Sequence, residues 1–503
     1  WATGAKARTR VDVYAPAMGH GEAVEKVTRK RAETMASRLI EADHWRKGMS
    51  PGYPLGLNIV DNTSMYTSWE DMAIVLAGPR SGKSLCYAIP AVLSAPGPCL
   101  ATSNKGDILD VTAPIRRLDH PNGRIWTFDP ERIADPNRKS APWVWDLIAS
   151  VQSIADAKRI ADCWRYASGQ PQTGGDDFFP GTAAQQLADY LFAAHLGGRS
   201  VSDVFRWCSN ERDTSPADIL SEYPRYAGIA SRVSSVIALT PETRSGVFGS
   251  LQTMVAFLAD PEIIDWIDPH RDTEGNIDER RGLFDPYEFA TSEDTLYLLS
   301  AQGRPSTALT ASLTAVVAFT AFQRAQSEFT DNNRRLPVPL CCVLDEAANI
   351  CRWPELADVY SYFGSAGIPI MTIWQNPDQG RAAFGETNFG SLFNNANITV
   401  YLGGIKDAKF LGEISQLVGQ REIVRGSVNI DGTGRRSVNN SIQKENILDV
   451  SDLTEWPVGR ALLLASQSRA QIVKTLPWTG NRQWADALTQ AKAKARDEQR
   501  KAA

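Results

Sequence analysis

Six short runs of almost wholly apolar residues punctuate the chain, at 73–77, 98–102, 124–128, 295–300, 338–344 and 368–373. Each is too short for a helix that stands alone and too uniformly apolar for a half-exposed strand, so each predicts a buried strand. Five of them lead into polar or small residues: Gly78, then Ser103-Asn104-Lys105, Asp129-Pro130, Asp345-Glu346 and Gln375-Asn376. Buried strands with chemistry at their C-terminal ends point to a mainly parallel sheet whose ligand edge is that end. A closing strand is expected at 460–465, and short strands at 53–66 lead into the first long run. Ahead of them, Val24, Val27, Met35, Leu39 and Ile40 among charges predict an amphipathic helix over 24–42.

The texture changes between 145 and 285. Stretches 153–166, 181–196, 200–208 and 247–258 have helical periodicity, few strand-like runs, and polar or Gly-rich separators such as 170–177. The fold class expected is α/β, a mainly parallel sheet with an inserted all-α domain. The expected boundaries are a helical, basic segment 1–50, a first core part 51–145, the insertion 146–285, a second core part 286–480 and a basic tail 481–503.

Composition narrows the class. The 503 residues are 43% apolar, as for a folded chain with a large core. Seven Cys are scattered, with Cys341-Cys342 the one adjacent pair and no CxxC, and five His are isolated. Neither a disulfide framework nor a zinc site is indicated, which fits a reducing compartment. The formal charge of −5 argues against a uniformly basic nucleic-acid surface. The cations at the ends, such as Arg29, Lys30 and Arg31 or Lys492, Lys494 and Arg496, read as solvated helix faces. No run of about 18 uninterrupted apolar residues occurs, so no membrane span is expected in this chain, and since it starts at Trp1, transmembrane helices before that residue are expected.

The first long run ends in the most informative stretch, Ala77 followed by Gly78, Pro79, Arg80, Ser81, Gly82, Lys83 and Ser84, and then an apolar helix-like segment. Loop N–H groups and a helix N-terminus wrap phosphate oxygens, Lys83 reaches the β- and γ-phosphates, and the Ser84 hydroxyl holds Mg²⁺. This is a Walker A phosphate loop with Ala77 where Gly usually opens the pattern, a change of little cost if that backbone keeps φ < 0. The strand at 338–344 ends in Asp345, which can order Mg²⁺, and Glu346, which can polarise the attacking water. Gln375, at the end of the next strand, suits a sensor of the γ-phosphate.

In order, these motifs resemble the TraG/TraD-like coupling proteins of type IV secretion, the conjugative DNA-transfer ATPases. Ile89-Pro90, Lys105-Gly106-Asp107, Leu344-Asp345-Glu346-Ala347, Gln375 through Gln379, Phe384-Gly385, Asn394 to Ile398, Tyr401-Leu402-Gly403 and Asp407 carry the likeness, which spans roughly 50–480 in pieces. The resemblance implies a RecA-like P-loop NTPase core, ATP and Mg²⁺ as cofactors, Lys83, Glu346 and Gln375 as catalytic residues, 78–84 as the nucleotide loop, and Ser84 and Asp345 as metal ligands. It further implies a homo-hexamer at the cytoplasmic face of the bacterial inner membrane, monomeric when isolated. Its partners would be DNA, single-stranded with a relaxase, secreted proteins, and other secretion components. Two alternatives stay open: an FtsK- or HerA-like DNA pump, and a nucleotide-binding substrate receptor with little hydrolysis. A ring ATPase also calls for an arginine from the neighbouring subunit; Arg244, Arg304, Arg421 and Arg425 are candidates among which the sequence does not choose. The Ser-, Asn- and Gly-rich stretch 426–445, with Arg435-Arg436, reads as an exposed mobile loop.

Overall fold

The computed structural model describes residues 8–46, 48–170, 177–269, 281–304, 306–430 and 436–502. Fifteen strands appear in chain order: β1 (Pro54–Asn58), β2 (Ser64–Tyr66), β3 (Ala73–Leu76), β4 (Cys99–Ser103), β5 (Ile125–Phe128), β6 (Trp143–Trp145), β7 (Gly282–Phe284), β8 (Thr295–Leu299), β9 (Cys341–Asp345), β10 (Ile370–Trp374), β11 (Ile398–Tyr401), β12 (Gln420–Ile430), β13 (Arg436–Asn446), β14 (Arg460–Ala465) and β15 (Gln471–Lys474). Eleven of them build one sheet in the order β2-β1-β15-β14-β11-β3-β10-β9-β4-β8-β5. From β11 to β5 every pairing is parallel, and from β11 outward through β14, β15, β1 and β2 every pairing is antiparallel.

The wholly apolar runs are explained by this arrangement. β3, β4, β8, β9, β10 and β11 are buried at every position, because helices cover both faces of the parallel part. One of those helices, Ser306–Glu328, is long and apolar enough to cross a membrane, yet most of it is buried within the fold. Against it lies helix Ile154–Ala167, with the Arg159 guanidinium 3.5 Å from the Phe319 ring centroid and bonded to Glu355 at 3.0 Å.

Seven helices between Ile154 and Ile267 make up the described part of the helical region. Ser153, Ser200 and Asp260 cap three of them by accepting bonds from N–H groups two or three residues on. Trp164, Trp207 and Trp266 are fully buried there. Its two ends are joined by a parallel pair, β6 with β7, in the register Trp143↔Gly282 to Trp145↔Phe284. The segment therefore leaves and re-enters the core at one place.

Three expectations need correcting. The helix foreseen over 24–42 is split: Gly21–Val27 is a 3₁₀ turn, and the α-helix Arg29–Leu39 begins only after Thr28, whose hydroxyl accepts from the Arg31 N–H. The helix-like segment after the phosphate loop is helical throughout but not uniformly α: a wider π turn, Ser84–Ala88, runs without a break into Ile89–Ser94, with Pro90 just past the change of winding. The stretch 426–445 belongs to a hairpin, not a loop: β12 and β13 pair antiparallel over eleven positions from Gln420↔Asn446 to Ile430↔Arg436. Arg435 and most of the 170–177 separator lie outside the described residues.

Candidate nucleotide site

The site lies where β3, β10 and β9 end side by side. Val75, Ile373 and Asp345 share one rank across the three strands, so Gln375 leaves the sheet between the phosphate loop and the two acids. Backbone bonds hold the loop root: the Ala77 N–H donates to Trp374 O at 2.9 Å and the Gly78 N–H to Gly403 O at 2.9 Å. Gly78 packs directly on Gly404, whose carbonyl oxygen would stand 2.4 Å from a Cβ at position 78. Gly403 and Gly404 make that approach at φ of 81° and 78°. Ala77 is fully buried and is absent from the positive-φ residues, which is why Ala is tolerated where Gly is usual.

Beyond the root, Ser81 Oγ donates to Gly78 O at 2.7 Å and closes a tight turn. Pro79 and Arg80 form its exposed crest, with Arg80 in the left-handed region at φ 62° and Gly82 at φ 92°. Ser84, half-buried, opens the π turn behind Lys83.

Lys83, Asp345, Glu346 and Gln375 are brought together. Lys83 Nζ lies 3.1 Å from Asp345 Oδ1 and also bonds Glu346 Oε1. Gln375 Nε2 donates to that same Glu346 oxygen at 2.5 Å. Asn349 Nδ2 donates to the other, Oε2, at 2.7 Å. Thr102 Oγ1, on β4, donates to the Asp345 carbonyl at 2.8 Å and fixes the strand end. Glu346 itself adopts φ 56°, a left-handed turn that an L residue with a side chain enters at some cost. Asn349 and Thr102 were not anticipated from sequence; the spacing Glu346 to Asn349, one helical turn, was the available signal.

The electrostatics follow from burial, since both acids are only 3% exposed. Burial pushes the Asp345 carboxyl up to about 6, with Lys83 pulling it down and Glu346 adding repulsion. Burial also opposes ionisation of Glu346, but the bonds from Lys83, Gln375 and Asn349 outweigh it and hold that carboxyl below its usual range. Lys83 is drawn down by burial and held above its usual value by the two acids. The donor set available to a metal is therefore a hydroxyl and carboxylates in a place that already concentrates negative charge, which suits a hard divalent cation such as Mg²⁺. Among the described residues no group of three or more His, Cys, Asp or Glu forms a metal cage, and a cation completed by substrate phosphates needs none.

Residues 339–458, which run from β9 to just before β14, match the family described as the TraM recognition site of TraD and TraG. That segment is TraG/TraD-like. The bacterial conjugative coupling protein TrwB, lacking its N-terminal 70 residues and in complex with sulphate, superposes with a TM-score of 0.59 at 15% identity, covering 91% of this chain and 96% of that one. TrwB in complex with ADP and Mg²⁺ gives 0.57 at 15% identity over 90% and 92%, and TrwB with a non-hydrolysable ATP analogue gives 0.56 at 14% over 81% and 86%. No curated protein sequence matches the chain. The fold is thus RecA-like α/β, with a large, mostly parallel sheet and an all-α part, as the motif order implied.

Proposed function

We propose that this chain is the ATP-dependent coupling protein of a type IV secretion or conjugation system. The observation that carries the reading is the meeting of Lys83, Asp345, Glu346 and Gln375 at one sheet edge beside a phosphate loop. Residues 51–145 and 286–480 act as the nucleotide-binding part, with 146–285 inserted as a helical module. The N–H groups of 78–84 cradle the phosphates and Lys83 swings from the acids onto the β- and γ-oxygens. Ser84 and Asp345 would hold Mg²⁺, which would supply positive charge against the phosphates. Glu346, released from Lys83 yet still held by Asn349, orients and accepts a proton from the attacking water, and Gln375 reports the γ-phosphate to the rest of the fold.

The cargo in this reading is DNA with its relaxase, or secreted protein, and the active form is a homo-hexamer at the membrane face. The matched family, the TraM recognition site of TraD and TraG, supports a docking role towards DNA-transfer components. The test is Mg²⁺-dependent ATP hydrolysis by the purified chain across a protein titration, with and without single- or double-stranded DNA. A rate that rises more than linearly with protein, is stimulated by DNA and disappears in Lys83→Ala and Glu346→Gln supports the motor. Tight nucleotide binding with no turnover in any condition favours the receptor alternative.

A further inference from the structure

The sheet edge opposite the nucleotide site carries a cavity of about 580 Å³. Ser94 and Gly97 before β4, Glu293 before β8 and Val338 before β9 line it, so it lies at the N-terminal ends of the strands. The phosphate loop and the two acids stand at C-terminal ends instead. The five residues of β4, at the usual ~3.3 Å each, keep the two places about 16 Å apart.

Two polar groups on the cavity wall have nothing to bond. Ser94 is 6% exposed, and its Oγ has no hydrogen-bond partner among the described residues. Glu293 Oε2 is buried and equally unpartnered, and neither Glu293 oxygen accepts a bond or pairs with a cation among those residues. The neighbouring acid shows the contrast: Asp294 accepts from the Arg124 N–H at 2.8 Å and from Trp126 Nε1 at 2.7 Å. Glu293 is also firmly mounted, since Gly123 packs so close that a Cβ there would stand 2.3 Å from the Glu293 carbonyl oxygen. A buried carboxylate oxygen without a donor is costly, and a bound donor removes that cost.

The same wall carries cations. Arg46 is exposed, and its guanidinium makes no hydrogen bond or ion pair among the described residues. It lies near the His120 ring, which burial, Arg116 and Arg46 together push down to about 3 and so keep neutral. Arg29 adds a second guanidinium, held by its bond to Glu33 at 2.8 Å. Asp119, the other acid on the wall, is held above its ordinary value by burial, which lessens its opposition to an anion. Trp484, half-buried, supplies an aromatic surface.

These groups call for one ligand with three parts: paired N–H donors for Glu293, a flat ring for Trp484 and an anion for Arg46. The N1–H and N2–H edge of guanine meets a carboxylate with two parallel bonds, whereas the adenine edge sets a donor beside an acceptor. A guanidinium offers the same two donors but meets like charges in Arg46 and Arg29. We propose that this cavity binds a guanine nucleotide, with the base on Glu293 and the phosphate on Arg46 and Arg29, as a second nucleotide site apart from the phosphate loop.

The experiment titrates the full chain with GMP, AMP, guanosine and free arginine by calorimetry, in the presence of a saturating non-hydrolysable ATP analogue that fills the phosphate loop. GMP is expected to bind once per chain, and AMP at least about tenfold more weakly. Glu293→Gln, which replaces one acceptor by a donor, removes that preference. Arg46→Ala weakens GMP about tenfold or more and leaves guanosine unchanged. Neither side chain bonds within the fold, so both variants should melt with the wild type, and a changed isotherm is then not a folding defect. No uptake of GMP at millimolar concentration overturns the site, as do equal affinities for GMP and AMP or a GMP isotherm unaltered in Glu293→Gln. Uptake of GMP only without the ATP analogue assigns it to the phosphate loop and overturns the second site. Tighter binding of free arginine than of GMP overturns the guanine assignment.

Discussion

Lys83 Nζ stands 3.1 Å from Asp345 Oδ1 although β10 separates β9, which ends in Asp345, from β3, whose loop leads to Lys83. The lysine on the helix behind the phosphate loop reaches over Gln375 to neutralise acids that burial would otherwise disfavour. Lys83→Ala removes that cation from two acids that are 3% exposed. The expected result is loss of nucleotide binding together with a lower melting temperature. Because Lys83 retains 15% exposure of its own, the destabilisation should fall short of the roughly 3–5 kcal/mol that follows from breaking a fully buried pair. Thermal melts beside a nucleotide titration check both parts.

The raised Asp345 carboxyl gives a pH dependence with a definite sign. Its folded value of about 6 exceeds the ordinary 3.8, so the folded protein binds this proton more tightly than the unfolded chain. That contribution to stability is full below the ordinary value, declines as pH rises, and is gone above about 6. Glu346, held below its usual range, contributes in the opposite sense and loses its share as pH falls. Asp345→Asn is therefore expected to remove the decline between about 4 and 6 from the stability curve of the nucleotide-free protein. In the wild type, Mg²⁺-dependent tightening of ADP should grow as pH rises through about 6, because the liganding oxygen must be ionised. Unchanged melting curves in the Asn variant would refute the first expectation.

Asn349 and Gln375 hold opposite oxygens of Glu346, at 2.7 and 2.5 Å. Asn349→Ala frees the oxygen that Lys83 does not touch, so the carboxylate loses its orientation without losing its charge. The expected effect is a fall of about tenfold or more in turnover with nucleotide affinity little changed. Gln375→Ala should also slow turnover and should weaken the difference in affinity between ATP and ADP, which Asn349→Ala should leave alone. Comparing the two nucleotides by titration separates orientation of the base from sensing of the γ-phosphate.

Much of this site was legible before any coordinates because its chemistry is local. The runs at 73–77 and 338–344 are buried on both faces of a parallel sheet, so they read as unbroken apolar stretches, and their polar ends mark the ligand edge. Strand order was not legible, since the placement of β10 between β3 and β9 depends on pairings some 300 residues apart. The support given by Gly403 and Gly404 to Gly78 is long-range in the same way. The hairpin Gln420–Asn446 was missed for another reason. Its Ser, Asn and Gly content is that of a loop, and no buried face imposes alternation, with Val424 and Ile442 paired across the ladder yet 66% and 68% exposed.

The root of the phosphate loop separates two small residues, Ala77 and Gly78, that look alike in sequence. Gly78→Ala would set a Cβ 2.4 Å from the Gly404 carbonyl oxygen, a backbone atom that cannot move aside without displacing the strand-end loop. Lower stability and weaker nucleotide binding are both expected. Ala77→Gly restores the commoner residue, but position 77 has no positive φ to relieve, so affinity and turnover should stay close to wild type. A large gain in turnover from Ala77→Gly would show that the alanine restrains the loop.

Arg80 poses the reverse problem, a long side chain where the backbone favours glycine. Its φ of 62° costs roughly 1–2 kcal/mol for an L residue, and its side chain, exposed at the crest, has no bonding partner among the described residues to offset that cost. Arg80→Gly removes the strain and should raise the melting temperature of the nucleotide-free protein. It also removes a cation from the loop that receives the phosphates, so nucleotide affinity should fall, and fall more steeply at low salt, where a partly exposed charge is least screened. Arg80→Ala keeps the strained backbone and loses the charge, so it should share the weaker binding without the stabilisation. If the Gly variant binds nucleotide as tightly as wild type at low salt, the guanidinium has no part in phosphate binding and its strained placement belongs to another contact.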